Sequence, residues 1–544
     1  MKKILDNIKV LFKDLIQVSK LTKTKNKKLK ITLLAMINNS LVIFDILIIL
    51  YFSKLFSEVT LDNSLIEFFL SREYLFPFFI IFRYLAVYFE RIVTTSLQMD
   101  IEQNLREHLL SEIFDKGNFS IADAYFYVNT LCVQVGGFYS TLATFFGSLI
   151  QILLFTSYLL ITNFNIVMIF GIGSILLIIP TYYFAKLGRK YAHITYTSGQ
   201  EISEEIEKVL DSLYLIKIVN KVKDELLKFS SNLDLLYSSR LKDIKYGTIN
   251  AAMPNFITLF SLSILLVFFN FINKLSLDFI GILLRLFQSL SNLNKNIHLV
   301  STFHVSLEKL YEVEKNKEQI NKSNYVTNYE NKNDDISVNF SDVTFKYFNS
   351  EDNIFNNLNL KIYKNKHTII TGPNGSGKST ILGLAAGILY SNSGKIETSA
   401  KKFGYVSATP MILNASLLEN LNYGNEVAVS EEELMKQIKL FQLFKEDKNY
   451  DLSKTISNKT LSTGQMQKIS FIRALSSGAD ILILDESTSN LDTETKKLIY
   501  KIMSQKELTI INSTHSQDEI FNYDYEIKIT IDDGKRIVSL VENN

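Results

Sequence analysis

Nine consecutive residues, Gly372-Pro373-Asn374-Gly375-Ser376-Gly377-Lys378-Ser379-Thr380, have the G-x-x-x-x-G-K-[ST] spacing of a phosphate-binding loop. Such a loop works only between a strand and a helix start, so it commits this part of the chain to an α/β fold. The β-branched run Thr368-Ile369-Ile370-Thr371 predicts the strand, and Ser379 to Ala386 predict the helix. Glycines let backbone N–H groups turn inward around phosphates, and the helix N-terminus adds the positive end of its dipole. By this chemistry Lys378 should reach the β- and γ-phosphates, and the Ser379 hydroxyl should ligate Mg²⁺. Downstream, Ile481-Leu482-Ile483-Leu484-Asp485-Glu486 predicts a buried strand that ends in two carboxylates. Asp485 is placed to hold Mg²⁺ through water, and Glu486 to polarise an attacking water.

At 544 residues the chain is too long for one core. Its 47% of hydrophobic residues are unevenly spread, with most long apolar runs before about residue 300. A formal net charge of +2 gives no case for nucleic acid as a partner. The single cysteine, Cys132, excludes an internal disulfide framework and a cysteine metal cluster. Trp is absent, which leaves Tyr and Phe to form any interfacial aromatic belt.

Residues 1–30 are Lys-rich with Ile4, Ile8, Leu11 and Leu15 at helical spacing. They predict an amphipathic cytoplasmic helix on an anionic membrane face, against the plainer reading of a solvated helix. No small-residue cleavage site follows, which argues against a secretory signal. Six apolar segments are then long enough to span a bilayer: Ile31–Phe52, Tyr74–Thr95, Gly136–Thr162, Ile166–Leu187, Ala252–Ile272 and Leu277–His298. One set of connections is short or acidic. The other, Gln98–Asp115 and Arg189–Lys245, is long, helical and charged. The Lys-rich start places both termini in the cytoplasm by the positive-inside rule. Residues 314–335 are polar and predict a linker, so the domains read as 1–30, a transmembrane domain 31–313, the linker, and a nucleotide-binding domain 336–544. The fold class is therefore multidomain: an all-α six-helix transmembrane domain plus an α/β phosphate-loop domain.

Leu461-Ser462-Thr463-Gly464-Gln465 opens another predicted helix, whose Ser and N–H groups make a second anion-binding start. Here the chain resembles the ATP-binding cassette (ABC) transporters, whose signature L-S-G-G-Q it matches except for Thr463. The resemblance implies that Tyr347 stacks on adenine, that the loop Ser489-Asn490-Leu491-Asp492 crosses a dimer interface, and that His515 contacts the γ-phosphate. It further implies ATP and Mg²⁺ as ligands. Ser462, Gly464 and Gln465 of one chain would close on nucleotide held by the other. With one cassette and six spans, the chain is similar to exporter-type half-transporters, which act as homodimers or heterodimers in a bacterial inner membrane. Two departures stand out. Ala408 occupies the position of a glutamine that contacts Mg²⁺ and water, and the stretch between Gly394-Lys395-Ile396 and Phe403-Gly404-Tyr405 is shorter than usual. Hydrolysis is expected, but slow.

The leading functional expectation is ATP-driven export or flipping of a lipid, lipid-linked saccharide, peptide or drug. The alternative is a nucleotide-gated or regulatory membrane protein with slow hydrolysis and no pumping. Asp45, Arg83 and Arg285 fall inside spans, at overlapping depths of about 21 Å and 17 Å from the cytoplasmic side and about 12 Å from the outer side. Asp45 and Arg83 could neutralise one another as a structural pair. That would leave Arg285 alone to meet an anionic amphipathic cargo, such as a phosphate-bearing lipid.

Overall fold

The structure, a computed structural model, describes residues 16, 20, 27–56, 72–116, 120–162, 164, 178–268, 276–315, 322–327, 335–347, 350, 352–444, 451–488, 491–504, 507–514, 522–532 and 535–543. The chain divides into two compact units, Met1–Lys317 and Glu318–Asn544.

The first unit is helical. Its described elements are α1 (Lys27–Phe56), α2 (Phe76–Lys116), α3 (Ile121–Phe126), α4 (Cys132–Thr162), α5 (Ile178–Asp211), α6 (Leu213–Ile218), α7 (Val222–Phe268) and α8 (Leu277–Lys315). Of the two predicted cytoplasmic connections, Gln98–Asp115 lies wholly within α2, whereas Arg189–Lys245 is divided among α5, α6 and α7. Among the described residues, two helical stretches are apolar and long enough to cross a membrane, Leu29–Leu55 and Ile121–Thr162, with mean hydropathies of 2.3 and 1.8. The other expected runs fall short of that measure for visible reasons. Those in α2 and α8 carry Arg83, Glu90, Arg91, Arg285 and Lys295, and those in α5 and α7 run into 165–177 and 269–275, outside the described residues. Most of the expected N-terminal amphipathic helix also lies outside the described residues.

Lys30, Asn38, Asp45 and Ser53 recur every seven or eight residues along α1, about two helical turns, and so share one face. Each is tied to another helix. Lys30 Nζ donates to Ser96 Oγ (2.7 Å) and Asp100 Oδ2 (2.5 Å), and Gln151 Nε2 donates to Asn38 Oδ1 (3.3 Å). Ser53 Oγ donates to Asp278 Oδ1 (3.4 Å), and Asp45 takes Arg83. Gly147 makes room for this polar seam, because a Cβ there would sit 2.5 Å from Asn38 Nδ2. Interhelical polar contacts between close-packed small residues are how membrane helices associate where solvent gives no hydrophobic drive.

The second unit is α/β. Its strands are β1 (Tyr325–Thr327), β2 (Ile336–Phe345), β3 (Phe355–Tyr363), β4 (His367–Thr371), β5 (Ser393–Thr398), β6 (Phe403–Ser407), β7 (Ala415–Ser416), β8 (Thr455–Ile456), β9 (Ile481–Asp485), β10 (Thr509–Ser513), β11 (Tyr525–Asp532) and β12 (Lys535–Glu542). Its helices are α9 (Lys378–Ala385), α10 (Leu417–Asn422), α11 (Glu431–Leu440), α12 (Thr463–Ser476) and α13 (Thr493–Ser504). One sheet runs β12-β11-β4-β10-β9-β6, parallel except at β12, and a second runs β1-β5-β2-β3. Parallel strands covered on both faces read as unbroken apolar runs, which is why Ile481 to Leu484 are each at most 1% exposed. Phe340, Phe355, Ile381 and Ile483 share a core at α9, while Phe441, Phe471 and Leu484 share the core formed with α11 and α12.

The linker expected at 314–335 is corrected in its middle. Tyr325-Val326-Thr327 form β1, paired in parallel with Ile396-Glu397-Thr398 of β5, and Tyr325 Oη donates to Ala385 O (2.8 Å). An aromatic and two β-branched residues suit an edge strand, and the surrounding polarity hid them in sequence. The short stretch after β5 joins the two sheets. β5 belongs to the second sheet and β6 to the first, and the turn between them is held by Lys401 and Lys402 N–H donating to Asp480 Oδ2 (2.8 and 3.0 Å).

Candidate nucleotide-binding site

The loop between β4 and α9 takes the conformations that the glycines were expected to allow. Gly375 and Gly377 have φ of 74° and 107°, a region where a side chain is strained. A Cβ on Gly377 would also lie 2.7 Å from Phe355 Cζ. The turn leaves Lys378 at the first position of α9, 5% exposed, with Nζ donating to Gly372 O (3.0 Å) and Pro373 O (3.3 Å). Ser376 is buried and Asn374 exposed, so the loop presents its backbone rather than bulky side chains. Arg536 of β12 donates from Nη2 to Gly375 O (3.3 Å), a brace on the loop that sequence spacing did not reveal.

Ser379 and Asp485, the two residues expected at Mg²⁺, lie 106 positions apart and meet: Ser379 Oγ donates to Asp485 Oδ1 at 3.2 Å. The parallel pairing of β9 with β10 adds Ser513, whose buried Oγ donates to the same oxygen at 2.7 Å. A hydroxyl and a carboxylate oxygen, with room for phosphate and water oxygens, fit Mg²⁺, which keeps several waters and takes few protein ligands. Among the described residues no cluster of three or more His, Cys, Asp or Glu could hold a metal by itself. Nucleotide phosphates would have to complete the set.

Glu486 follows directly, at φ 50°, with its N–H donating to Ser513 O (3.1 Å). A non-glycine residue in this region is held there by its surroundings, and such residues concentrate at functional sites. One brace was missed by sequence reasoning. Gln467 of α12, fully buried, donates from Nε2 to Ser407 O (2.9 Å) and Ser487 O (2.5 Å). It thereby ties the residue before Ala408 to the residue after Glu486. A glutamine at helical spacing from Phe471 and Ala474, both buried, was the available signal. Beside it, burial raises the Tyr405 phenol above its ordinary value. The Asp485 carboxylate adds to the rise, and a hydrogen bond with Ser407 opposes it.

Tyr347, expected at adenine, is 43% exposed, and its hydroxyl shares a hydrogen bond with Thr380 Oγ1 (2.9 Å) at the start of α9. Ser462 caps α12: its Oγ accepts from Gln465 N–H (3.3 Å), and Gln465 Oε1 accepts from Ser462 N–H (2.9 Å). This reciprocal cap orders the helix start and leaves Gly464 facing open space, where an added Cβ would meet nothing within 4 Å. Asp492 caps α13 through Thr495 N–H (2.8 Å). Ser489, Asn490 and His515 lie outside the described residues.

In the helical unit the three ionisable residues come together. Arg83 Nε donates to Asp45 Oδ1 (2.5 Å), and Arg285 Nη2 lies 3.7 Å from the same oxygen. Arg285 Nη1 also donates to Gln288 Oε1 (3.0 Å). Arg285 was expected to be left alone by an Asp45–Arg83 pair. It is not: Asp45 is shared between both arginines.

Residues 355–489 match the family model described as ABC transporter. Among curated proteins, the chain is 27% identical over 381 residues to an ATP-dependent lipid A-core flippase of Idiomarina loihiensis, covering 64% of this chain and 63% of that protein. It is 32% identical over 221 residues to a lactococcin-A transport/processing ATP-binding protein of Lactococcus lactis, covering 38% of this chain and 30% of that one. It is 32% identical over 185 residues to ABC transporter B family member 13 of Arabidopsis thaliana, covering 31% and 15%. The chain thus spans 15% to 63% of the length of these relatives. Among solved structures, a bacterial Atm1-family ABC exporter with ATP bound superposes with a TM-score of 0.73 at 17% identity, over 94% of both chains.

Proposed function

We propose that this chain, whose residues 355–489 match the ABC transporter model and whose whole carries the ABC exporter fold, is an ATP-driven exporter or flippase that works as a dimer of two such chains in a membrane. The observation that carries the reading is the convergence of Ser379, Asp485 and Glu486 at the end of a phosphate loop fused to long membrane-depth helices. In this reading Lys378 and the loop N–H groups hold the triphosphate of ATP. Ser379 and Asp485 would hold Mg²⁺, which neutralises phosphate charge when bound. Glu486 accepts the proton of the attacking water. Ser462 and the open face at Gly464 are suited to a nucleotide on a second cassette, which supports a dimer of identical or related chains. Both termini would be cytoplasmic, in a bacterial inner membrane. Cargo would be a lipid, lipid-linked saccharide, peptide or drug.

Ala408 favours a second reading, a nucleotide-gated protein with slow turnover and no pumping, because its methyl group can neither ligate Mg²⁺ nor orient water. Reconstitution in vesicles separates the two. The exporter reading expects ATP-dependent accumulation of cargo. It also expects Glu486→Gln to keep ATP binding while steady-state hydrolysis falls about a hundredfold or more. Unchanged turnover in that variant removes Glu486 from its role, and hydrolysis without accumulation supports gating.

A further inference from the structure

A buried strand of a parallel sheet reads as an unbroken apolar run, and β10 departs from that rule at its C-terminal end. Asn512 is 4% exposed there and Ser513 0%. A hydroxyl so far from water is costly unless it is hydrogen-bonded, so its partner shows what the position serves. Ser513 pairs in register with Ile370 of β4 on one side and with Asp485 of β9 on the other. It stands where β4 enters the phosphate loop and β9 ends in its carboxylates. The C-terminal edge of such a sheet is where ligands bind.

Ser513 contacts both carboxylate residues. Its Oγ donates to Asp485 Oδ1 (2.7 Å), and its main-chain O accepts from Glu486 N–H (3.1 Å). Asp485 Oδ1 also accepts from Ser379 Oγ, at 3.2 Å. The two serines differ in surroundings: Ser379 is exposed at the loop, where its oxygen can turn to a metal, and Ser513 is sealed from solvent. Neither donor is a cation. A lysine or arginine in place of Ser513 would cancel the carboxylate charge and compete with Mg²⁺. A hydroxyl fixes the plane of the carboxylate and leaves that charge for the metal. Outer hydrogen bonds of this kind orient metal-binding groups.

We propose that Ser513 is a positioning residue for Mg²⁺: its buried hydroxyl sets the direction in which Asp485 faces the metal, and so decides how tightly the cassette holds the metal–nucleotide complex rather than the nucleotide alone. Ala408 raises the demand on this contact, because its methyl group supplies no ligand. The main-chain contact from Ser513 to Glu486 is left in place by a side-chain substitution, so the metal can be tested apart from the base. The proposal rests on the reading of Ser379 and Asp485 as metal ligands, and Asp485 is therefore varied alongside Ser513.

The test is titration of the full chain in lipid nanodiscs with a fluorescent ATP analogue, once at increasing Mg²⁺ and once in EDTA. Ser513→Ala should raise the half-saturating Mg²⁺ concentration about tenfold, while affinity in EDTA stays within about twofold of the parent's. Threonine and valine share a shape and differ in the hydroxyl, so they separate hydrogen bonding from packing. Ser513→Thr should keep the parent's Mg²⁺ dependence, and Ser513→Val should shift it as alanine does. Asp485→Asn should remove most of the gain that Mg²⁺ gives. Parent-like dependence in the alanine and valine variants overturns the proposal. So does an equal shift in all three Ser513 variants, which marks packing, or a loss in EDTA as large as the loss with Mg²⁺, which marks the phosphate loop itself. If Asp485→Asn keeps the parent's dependence, the metal-site reading falls and takes the proposal with it. If Asp485→Asn loses it and the Ser513 variants do not, the proposal alone falls.

Discussion

Gln467→Leu removes a buried side chain that ties the turn after β6 to the turn after β9. The amide donates to Ser407 O and Ser487 O from a fully buried position, so the leucine leaves two carbonyls without that donor. A buried acceptor stripped of its partner costs about 1–3 kcal/mol, which puts the two together at about 2–6 kcal/mol. That cost appears in one of two places. If the loops stay where they are, the cassette loses stability, and a domain of this size shifts its melting temperature by about 2–4 °C per kcal/mol. If the loops relax toward water, Glu486 moves with Ser487, and a displacement of about 1 Å at a reacting group costs about a hundredfold in rate. The assay is steady-state ATPase of the full chain in lipid nanodiscs, with kcat and KM resolved and the cassette melting transition followed in parallel. A fall in kcat of tenfold or more at little-changed KM, or a melting shift beyond about 4 °C, is expected. If kcat stays within about twofold and the melting transition does not move, Gln467 holds neither loop and the positional argument is wrong.

Lys378→Ala removes a cation whose Nζ sits at the loop carbonyls of Gly372 and Pro373, and should weaken ATP binding itself by about tenfold or more, as read by nucleotide titration. Ala408→Gln should raise ATPase activity if the missing carboxamide limits turnover; an unchanged or lower rate shows that Ser379, Asp485 and Gln467 already organise the site. His367 supplies a pH test. Burial pushes its imidazole down to about 4, against a hydrogen bond to Asn522 O and the nearby Asp524 carboxylate that favour its charged form. Between about pH 6.5 and about pH 4 the unfolded chain therefore binds the proton first, so stability is full above about pH 6.5 and falls with pH by up to about 3 kcal/mol. His367→Asn, which can still donate to Asn522 O, should flatten the acid arm of the cassette melting curve. An identical acid slope in both proteins refutes the assignment.

The sequence by itself determined the local chemistry of the cassette. A loop with glycines at fixed spacing can turn only one way between a strand and a helix, so Gly372 to Thr380 announced both the fold around them and the ligand they take. Ile481 to Leu484 likewise announced a strand buried on both faces, with Asp485 and Glu486 at its C-terminal end. These features are set by residues close in the chain. What the tertiary structure decided is everything that depends on residues far apart. Ser513 reaches Asp485 because β10 pairs with β9, and Gln467 reaches two loops because α12 packs beneath them. Tyr325 to Thr327 became a strand because β5 offered an edge, although the polar composition around them argued for a linker. In the helical unit, sequence depth alone put Asp45, Arg83 and Arg285 at similar heights, but it could not say how two cations would divide one carboxylate. Helix rotation decided that, and it turned the polar seam of α1 inward. Periodicity shows that a helix has a polar face. Only packing against other helices shows which way that face looks.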